Sequence, residues 1–245
     1  MLNINTNYAA AFASNAAKSA SGGLNSAMEK LSTGSRINYA KDDAAGQAIS
    51  TRLSAEIQGL SMASRNAADA QSMLDTAEGA MQETHTILLR MRELAVQSAN
   101  GTLTNTDRDH TDAEFQQLSA EITRISDNTK WAGKNLIDGS ASGLVFQIGE
   151  GANQTITVAI ADISATATGI AIADDDLQTV ANAQTAIAAL DTAIATVSSE
   201  RGKLGAVSNR LVSTMTNLDQ VSVNLSASQG RIQDADFAQE TGNLS

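Results

Sequence analysis

Apolar and small side chains recur at alternating spacings of three and four residues over three long stretches of the chain. This spacing places them on one face of a helix, close to the coiled-coil repeat of about 3.5 residues. Such a face needs other helices to cover it, so the pattern predicts long packed helices. The larger members of the predicted core stripe are Leu60, Leu74, Met81, Leu88, Phe115, Leu118, Ile122, Ile187, Leu190, Ile194, Val197, Leu204, Leu211 and Leu218.

A weaker stripe of the same spacing covers residues 10–31 and consists mostly of alanine. Alanine buries little apolar surface, and an isolated helix of this kind is marginal in water. We therefore expect this segment to become ordered only against other helices. The pair Gly22-Gly23 marks a possible joint within it.

Turn-forming residues predict where the longer helices begin and end. A turn at residues 33–35 separates the alanine stripe from a helix over about 43–99, and Gly59 suggests a break within that helix. Asn100-Gly101 would end that helix with a left-handed cap. A second helix over about 107–128 would return antiparallel to it, followed by irregular chain over 130–140.

The period changes from helical to alternating after residue 140. Leu144, Phe146 and Ile148 alternate with other residues, and so do Ile156, Val158 and Ile160. The turn-rich segment between the two runs predicts a β-hairpin. A small, polar loop over 161–175 would follow.

The last long helix is predicted from residue 177 to about 229. Asp174, Asp175 and Asp176 would lie at its N-terminus, where the helix dipole favours negative charge. Gly202 and Gly205 would bend it. The predicted fold class is mainly α, an elongated antiparallel helical bundle or coiled coil with a small β-hairpin region.

Composition narrows the possible functions. The 245 residues include no proline and no cysteine, which favours long helices and excludes disulfides and thiolate metal sites. A formal net charge of −11 argues against nucleic-acid binding and anionic membranes. No run is apolar enough to span a membrane, and the N-terminal residues are unlike a cleaved signal peptide.

No catalytic or cofactor-binding pattern is present in the sequence. Asp107, Asp109 and Asp112 resemble the start of a calcium loop, but the glycine and glutamate that such a loop requires are absent. His85 and His110 lie far apart in sequence. We expect no enzyme activity, no metal and no cofactor.

The segment over residues 89–97 combines charges of both signs with apolar residues. Arg90, Arg92 and Glu93 predict a charged outer helix face, and local ion pairs on such a face contribute little. On composition alone, this segment is a solvated surface.

Several motifs make the chain similar to the bacterial flagellin family over nearly all of its length. They are LSTGSRIN at 31–38, AKDDAAG at 40–46, RELAVQ at 92–97, RGKLGA at 201–206 and RIQDADF at 231–237. The segment WAGKNL at 131–136 departs from the family's commoner Phe-Asn-Gly form.

The resemblance implies a structural subunit of the flagellar filament, outside the cell and exported through the flagellar export machinery without a cleaved signal peptide. It implies that residues 1–40 form the N-terminal helix of the inner filament core and 236–245 the start of the C-terminal core segment. Residues 41–139 and 176–235 would form the outer-tube helices, with 140–175 as a short variable region.

The resemblance also implies a contact role for the charged segment, toward a neighbouring subunit and toward the vertebrate Toll-like receptor for flagellin. The predicted receptor and subunit contact residues are Leu89, Arg90, Arg92, Glu93, Leu94, Val96, Gln97 and Glu114.

The family continues past a segment like residues 240–245 into another apolar helix, whereas this chain stops there. We therefore expect that this form does not build normal filaments by itself and that binding of the family's export chaperone is weakened; sedimentation would test the first expectation.

An alternative function is that of a hook–filament junction protein, although such proteins usually lack the run at 42–46 and the Arg90 region. An inserted hydrolase and a monomeric binding module are further alternatives.

Overall fold

The computed structural model describes residues 7–166 and 169–245, and this part of the chain is mainly helical. The mainly α class with a small β-hairpin region is confirmed. The chain divides into two compact units, one comprising the residues up to 61 together with 219–245 and the other comprising 62–218. The helices are α1 (Tyr8–Thr33), α2 (Ala44–Ser98), α3 (Asn105–Asn128), α4 (Val180–Gln233) and α5 (Phe237–Leu244), and the strands are β1 (Lys130–Trp131), β2 (Lys134–Asn135), β3 (Ser142–Gln147) and β4 (Thr155–Ala159).

The core of the 62–218 unit is built from the predicted stripes. Within it, side chains of α2 and α4 pack together with those of α3 and the hairpin strands. Leu118, Ile187 and Ile194 lie half-buried at its edge. The predicted stripe residues that are buried in the two units are Leu60, Leu74, Met81, Leu88, Phe115, Ile122, Leu190, Val197, Leu204, Leu211 and Leu218.

Helix α3 runs antiparallel to α2, as predicted, and begins two residues earlier than expected. Thr104 caps it: the Thr104 hydroxyl accepts from the Asp107 N–H, and the Asp107 carboxylate accepts from the Thr104 N–H. This capping box satisfies two backbone donors that the first turn leaves unpaired. The prediction for the hairpin is also confirmed, since β3 and β4 pair antiparallel with Phe146 opposite Ile156.

The predicted left-handed cap at Asn100-Gly101 is wrong. Among the described residues, neither of these two has a positive φ, whereas Gly34 does adopt the left-handed conformation at the end of α1, with φ of 69°. A side chain closes α2 instead. Arg108 of α3, only 6% exposed, donates from Nε to the Ser98 carbonyl at 3.0 Å and from Nη2 to the Asn100 carbonyl at 3.0 Å.

The predicted start of the last helix at the aspartate run is also wrong. Helix α4 begins at Val180, where the Thr179 hydroxyl accepts from the Asn182 N–H at 3.1 Å. Leu177 explains this later start, because the residue precedes the helix and its side chain is fully buried. Its N–H donates to Asp112 Oδ1 at 2.9 Å, and its carbonyl accepts from Ser98 Oγ at 2.6 Å.

Two loop predictions need correction. The segment 130–140, expected to be irregular, contains the β1–β2 hairpin, which turns through Ala132 and Gly133 at positive φ. The loop over 161–175, expected to be small and polar, buries apolar side chains; its residues 167 and 168 lie outside the described part. The buried members are Ile163, Ala165, Ile170 and Ile172.

The suggested breaks at glycines do not interrupt the helices. α1 runs through Gly22 and Gly23, α2 through Gly59, and α4 through Gly202 and Gly205. The cost of about 1 kcal/mol that glycine imposes on a helix interior is therefore not enough to end any of these helices. Within the described residues, none of the helices has a stretch both long and apolar enough to cross a membrane.

Helix α1 belongs to the other unit, and little of its surface is buried. The side chains of residues 7–26 are all exposed, and Ala27 is the one buried residue of the described helix. Its C-terminal end contacts α5, where Lys30 Nζ donates to Glu240 Oε1 at 3.3 Å. The chain after α1 also pairs with the residue that follows α4, through the Ser35–Asp234 bridge.

Candidate subunit and receptor contact surface

The last three turns of α2 present two different faces. Leu88, Met91, Leu94 and Ala95 are buried, in the three-four spacing that faces the core. Leu89, 45% exposed, and Val96, 50% exposed, lie on the opposite side. Glu93 and Gln97 are exposed beside them. The same turns therefore anchor the helix and display a mixed apolar and charged surface.

Arg90 is held in place by two carboxylates from two helices. Its Nε and Nη2 donate to Glu114 Oε1 of α3 at 3.0 and 2.9 Å, and its Nη1 donates to Glu93 Oε2 at 3.1 Å. The Glu114 hydrogen bond, followed by that of Glu93, raises the pKa of Arg90 above its ordinary value. All three side chains remain about half exposed or more. The guanidinium is thus fixed but still accessible.

Arg92 points to the other side of α2. Its Nε donates to Asp191 Oδ1 of α4 at 2.6 Å, and this hydrogen bond raises the pKa of Arg92. The pair joins α2 to α4 at the surface, just as Arg90 joins α2 to α3. Arg92 is therefore engaged in packing the helices together, although its side chain stays partly exposed.

Leu94 does not belong to the outer surface. Its side chain is 2% exposed and lies in the core of the 62–218 unit. A partner could not contact it without local opening of α2. The sequence-based grouping of Leu94 with the contact residues therefore needs correction, because the three-four period turns position 94 inward with Met91.

Sequence reasoning missed two residues that shape this region. Asp191 lies ninety-nine positions after Arg92, and no local spacing connects the two. Arg108 stands between two aspartates in a segment with the composition of a solvated face, yet it is buried against the end of α2. Only the long-range packing reveals either role.

Two family models match the chain in the regions that build this fold. The model for the bacterial flagellin N-terminal helical region covers residues 4–142, and the model for the bacterial flagellin C-terminal helical region covers residues 187–245. Together they include most of the described helices and the whole contact surface. The class defined by fold and matches is an α-helical structural protein of the bacterial flagellum.

Individual relatives agree with this assignment. The chain is 47% identical over 214 residues to a flagellin from Halalkalibacterium halodurans, covering 87% of this chain and 79% of that protein. It is 43% identical to a flagellin from Bacillus subtilis, covering 98% and 89% respectively. The crystal structure of Bacillus cereus flagellin is similar with a TM-score of 0.57 and 37% identity, covering 63% of this chain and 88% of that one.

The chain belongs to the bacterial flagellin family. It is a structural subunit of the flagellar filament, which lies outside the cell and is built by self-polymerisation of flagellin.

Proposed function

We propose that the outer face of α2 is a contact surface for a neighbouring subunit in the filament and for the vertebrate Toll-like receptor for flagellin. The contact surface consists of Leu89, Arg90, Glu93, Val96 and Gln97 of α2 with Glu114 of α3. Arg92 borders it, and Leu94 supports it from below. Residues 1–40 and 236–245 would contribute to the inner filament core, with the remaining helices in the outer tube.

The fixed guanidinium of Arg90 is the observation that carries this proposal. Its three hydrogen bonds to Glu114 and Glu93 hold it on the same turns of α2 that carry two exposed apolar side chains, Leu89 and Val96. Ordering the arginine before binding lowers the entropy lost in the complex. Arginine beside apolar residues is also the composition favoured at the energetic centre of interfaces.

The test uses Leu89→Ala, Arg90→Ala and their combination. None of these changes removes a buried side chain, so helix content and unfolding should stay near those of the parent. Receptor-dependent signalling in cells that express the receptor should fall at least tenfold for the double variant, the loss expected when a central contact worth about 2 kcal/mol is removed. Arg124→Ala is the matched control, because Arg124 forms a comparable exposed ion pair with Glu121 on α3.

Signalling by the double variant at the level of Arg124→Ala would refute the receptor part of the proposal. Polymer formation, measured by sedimentation after seeding with preformed filaments, tests the subunit part separately. Leu94→Ala is unsuitable as a contact variant, because truncating a buried leucine costs about 2–5 kcal/mol in stability.

Export through the flagellar machinery without removal of an N-terminal segment completes the proposed function. The support is the resemblance of the N-terminal region to the family, together with the match of the N-terminal family model from residue 4. The intact mass of protein collected from filaments should equal that of the translated chain. A mass that lacks a block of N-terminal residues would contradict this part.

A further inference from the structure

The turn between α2 and α3 contains Asn100 followed by Gly101, the one Asn-Gly pair in the sequence. Both residues are exposed. We propose that Asn100 is a site of spontaneous deamidation and that Arg108 directs the product toward isoaspartate. Neither part of this inference depends on the contact surface proposed above.

The backbone of the turn leaves the nucleophile available. The Gly101 N–H donates no hydrogen bond within the part of the chain that the structure describes, although its neighbours are engaged. The N–H of Asn100 donates to the Gln97 carbonyl at 3.2 Å, and the N–H of Leu103 donates to the Asn100 carbonyl at 3.3 Å. Gly101 has no Cβ to obstruct approach of its nitrogen to the Asn100 side chain.

The amide that would be attacked is polarised. Asn100 Oδ1 accepts from the Thr102 N–H at 3.1 Å, a local turn that asparagine side chains commonly form. A hydrogen bond to this oxygen withdraws electrons from Cγ and stabilises the negative charge that develops on the oxygen during attack. Nucleophile and activated carbonyl thus occur together in adjacent residues.

The reaction balances with water as the only co-reactant. The Gly101 nitrogen bonds to Asn100 Cγ, the Cγ–Nδ2 bond breaks, and ammonia leaves with the proton from the Gly101 N–H. Water then opens the resulting succinimide at one of its two carbonyls. Opening at Cγ gives aspartate, whereas opening at the main-chain carbonyl gives isoaspartate and leaves that carbonyl as a free carboxylate.

Arg108 contacts the carbonyl whose opening gives isoaspartate. Its Nη2 donates to the Asn100 main-chain oxygen at 3.0 Å, while its Nε is fixed on the Ser98 carbonyl. The guanidinium polarises this carbonyl toward water, and after ring opening the contact becomes a charge-assisted hydrogen bond to a carboxylate. The buried position of Arg108 therefore favours the isoaspartyl product.

Two other sites in the chain provide internal comparisons. Asp138 also precedes a glycine, but its carboxyl is held by Asn135 and by Ser140, and the Ser140 side-chain hydrogen bond is the main cause that lowers the pKa of Asp138. An ionised carboxylate is a poor electrophile, so this pair should be inert. Asn105 is also exposed, but the β-branched Thr106 follows it within the first turn of α3. Asn105 should therefore deamidate more slowly than Asn100.

The experiment incubates the full chain in mildly alkaline buffer, cleaves it after arginine, and follows the peptide over residues 93–108 by mass spectrometry. This peptide contains both Asn100 and Asn105. Asn100 should gain the mass of exchanging NH₂ for OH several-fold faster than Asn105, and an isoaspartyl-specific methyltransferase should label the product. Asn100 reacting no faster than Asn105 would overturn the proposal.

Gly101→Ala gives the sharper test. An added Cβ at this position meets no heavy atom within 4 Å, and the residue is not left-handed, so the turn should be retained. Deamidation should slow several-fold, whereas Gly202→Ala, a remote change with equal space, should leave it unchanged. Arg108→Gln should lower the ratio of isoaspartate to aspartate. An unchanged rate in Gly101→Ala would refute the site, and an unchanged ratio in Arg108→Gln would refute the role of Arg108.

Discussion

Helix α1 and the part of α2 within the 62–218 unit carry the same alanine-rich spacing but differ in burial. In α2, Ala63, Ala67, Ala70 and Ala77 are all nearly inaccessible to solvent. In α1, the corresponding alanines from residue 10 onward are exposed, and burial begins only at Ala27. The difference shows that periodicity specifies which face can be covered, while larger side chains from other elements decide whether that face becomes core.

Truncation of a leucine should give the largest difference in stability between the two helices. Leu88→Ala removes a fully buried side chain of α2 and should lower the free energy of unfolding by about 2–5 kcal/mol. Leu24→Ala removes an exposed side chain of α1 and should stay within about 0.5 kcal/mol of the parent in the monomer. Denaturant unfolding measures both. A similar loss in the two variants would mean that α1 also belongs to the cooperative core.

Removing the side chain that closes α2 should have the next largest effect. Arg108→Ala leaves the carbonyl of the buried residue Ser98 without its donor, and an unsatisfied buried acceptor costs about 1–3 kcal/mol. Arg124→Ala, which breaks an exposed pair on the same helix, should change thermal stability little. Equal melting temperatures for the two variants would contradict the closing role of Arg108.

The N-cap residues of α3 and α1 allow the same comparison between a packed helix and an exposed one. Thr104→Ala removes the capping box of α3 and should cost about 0.5–2 kcal/mol in global unfolding. Asn7→Ala removes the cap of α1, where Oδ1 accepts from the Ala10 N–H, and should loosen that helix without changing the global transition. Amide exchange in α1 combined with denaturant unfolding distinguishes local from global loss.

The smallest expected effect concerns the α1–α5 contact and its dependence on pH. Hydrogen bonds from Asn243 and then Lys30 lower the pKa of Glu240. A lowered native pKa means that this carboxylate stabilises the contact above the ordinary glutamate pKa and loses that effect as the pH falls through the native value. Glu240→Gln should speed exchange in α5 at neutral pH, and the difference from the parent should disappear in acid. A pH-independent difference would exclude the charge as its cause.

The sequence was sufficient for features that depend on local pattern. The helices around Leu74, Phe115 and Leu190 and the hairpin at Phe146 follow from period and turn residues, because each element must bury its own apolar face. The outward position of Leu89 and Val96 follows from the same helical period.

Features that join distant parts of the chain could not be predicted this way. Arg108 looks like a surface residue until the end of α2 is placed beside it, and the aspartate run fails to begin α4 because Leu177 is held by Asp112 and Ser98. Leu94 is a different case: resemblance placed it in the contact surface, although the helical period already turns it towards the core, where its side chain is 2% exposed.

Amide hydrogen exchange, measured on the monomer and on the same chain incorporated into filaments, tests the central contrast most directly. The account predicts that α1 amides over residues 10–26 exchange quickly in the monomer and slowly in the filament, because other copies then cover the exposed face. Amides of α2 over residues 62–98 should be slow in both states. Slow exchange throughout α1 in the monomer would contradict the account.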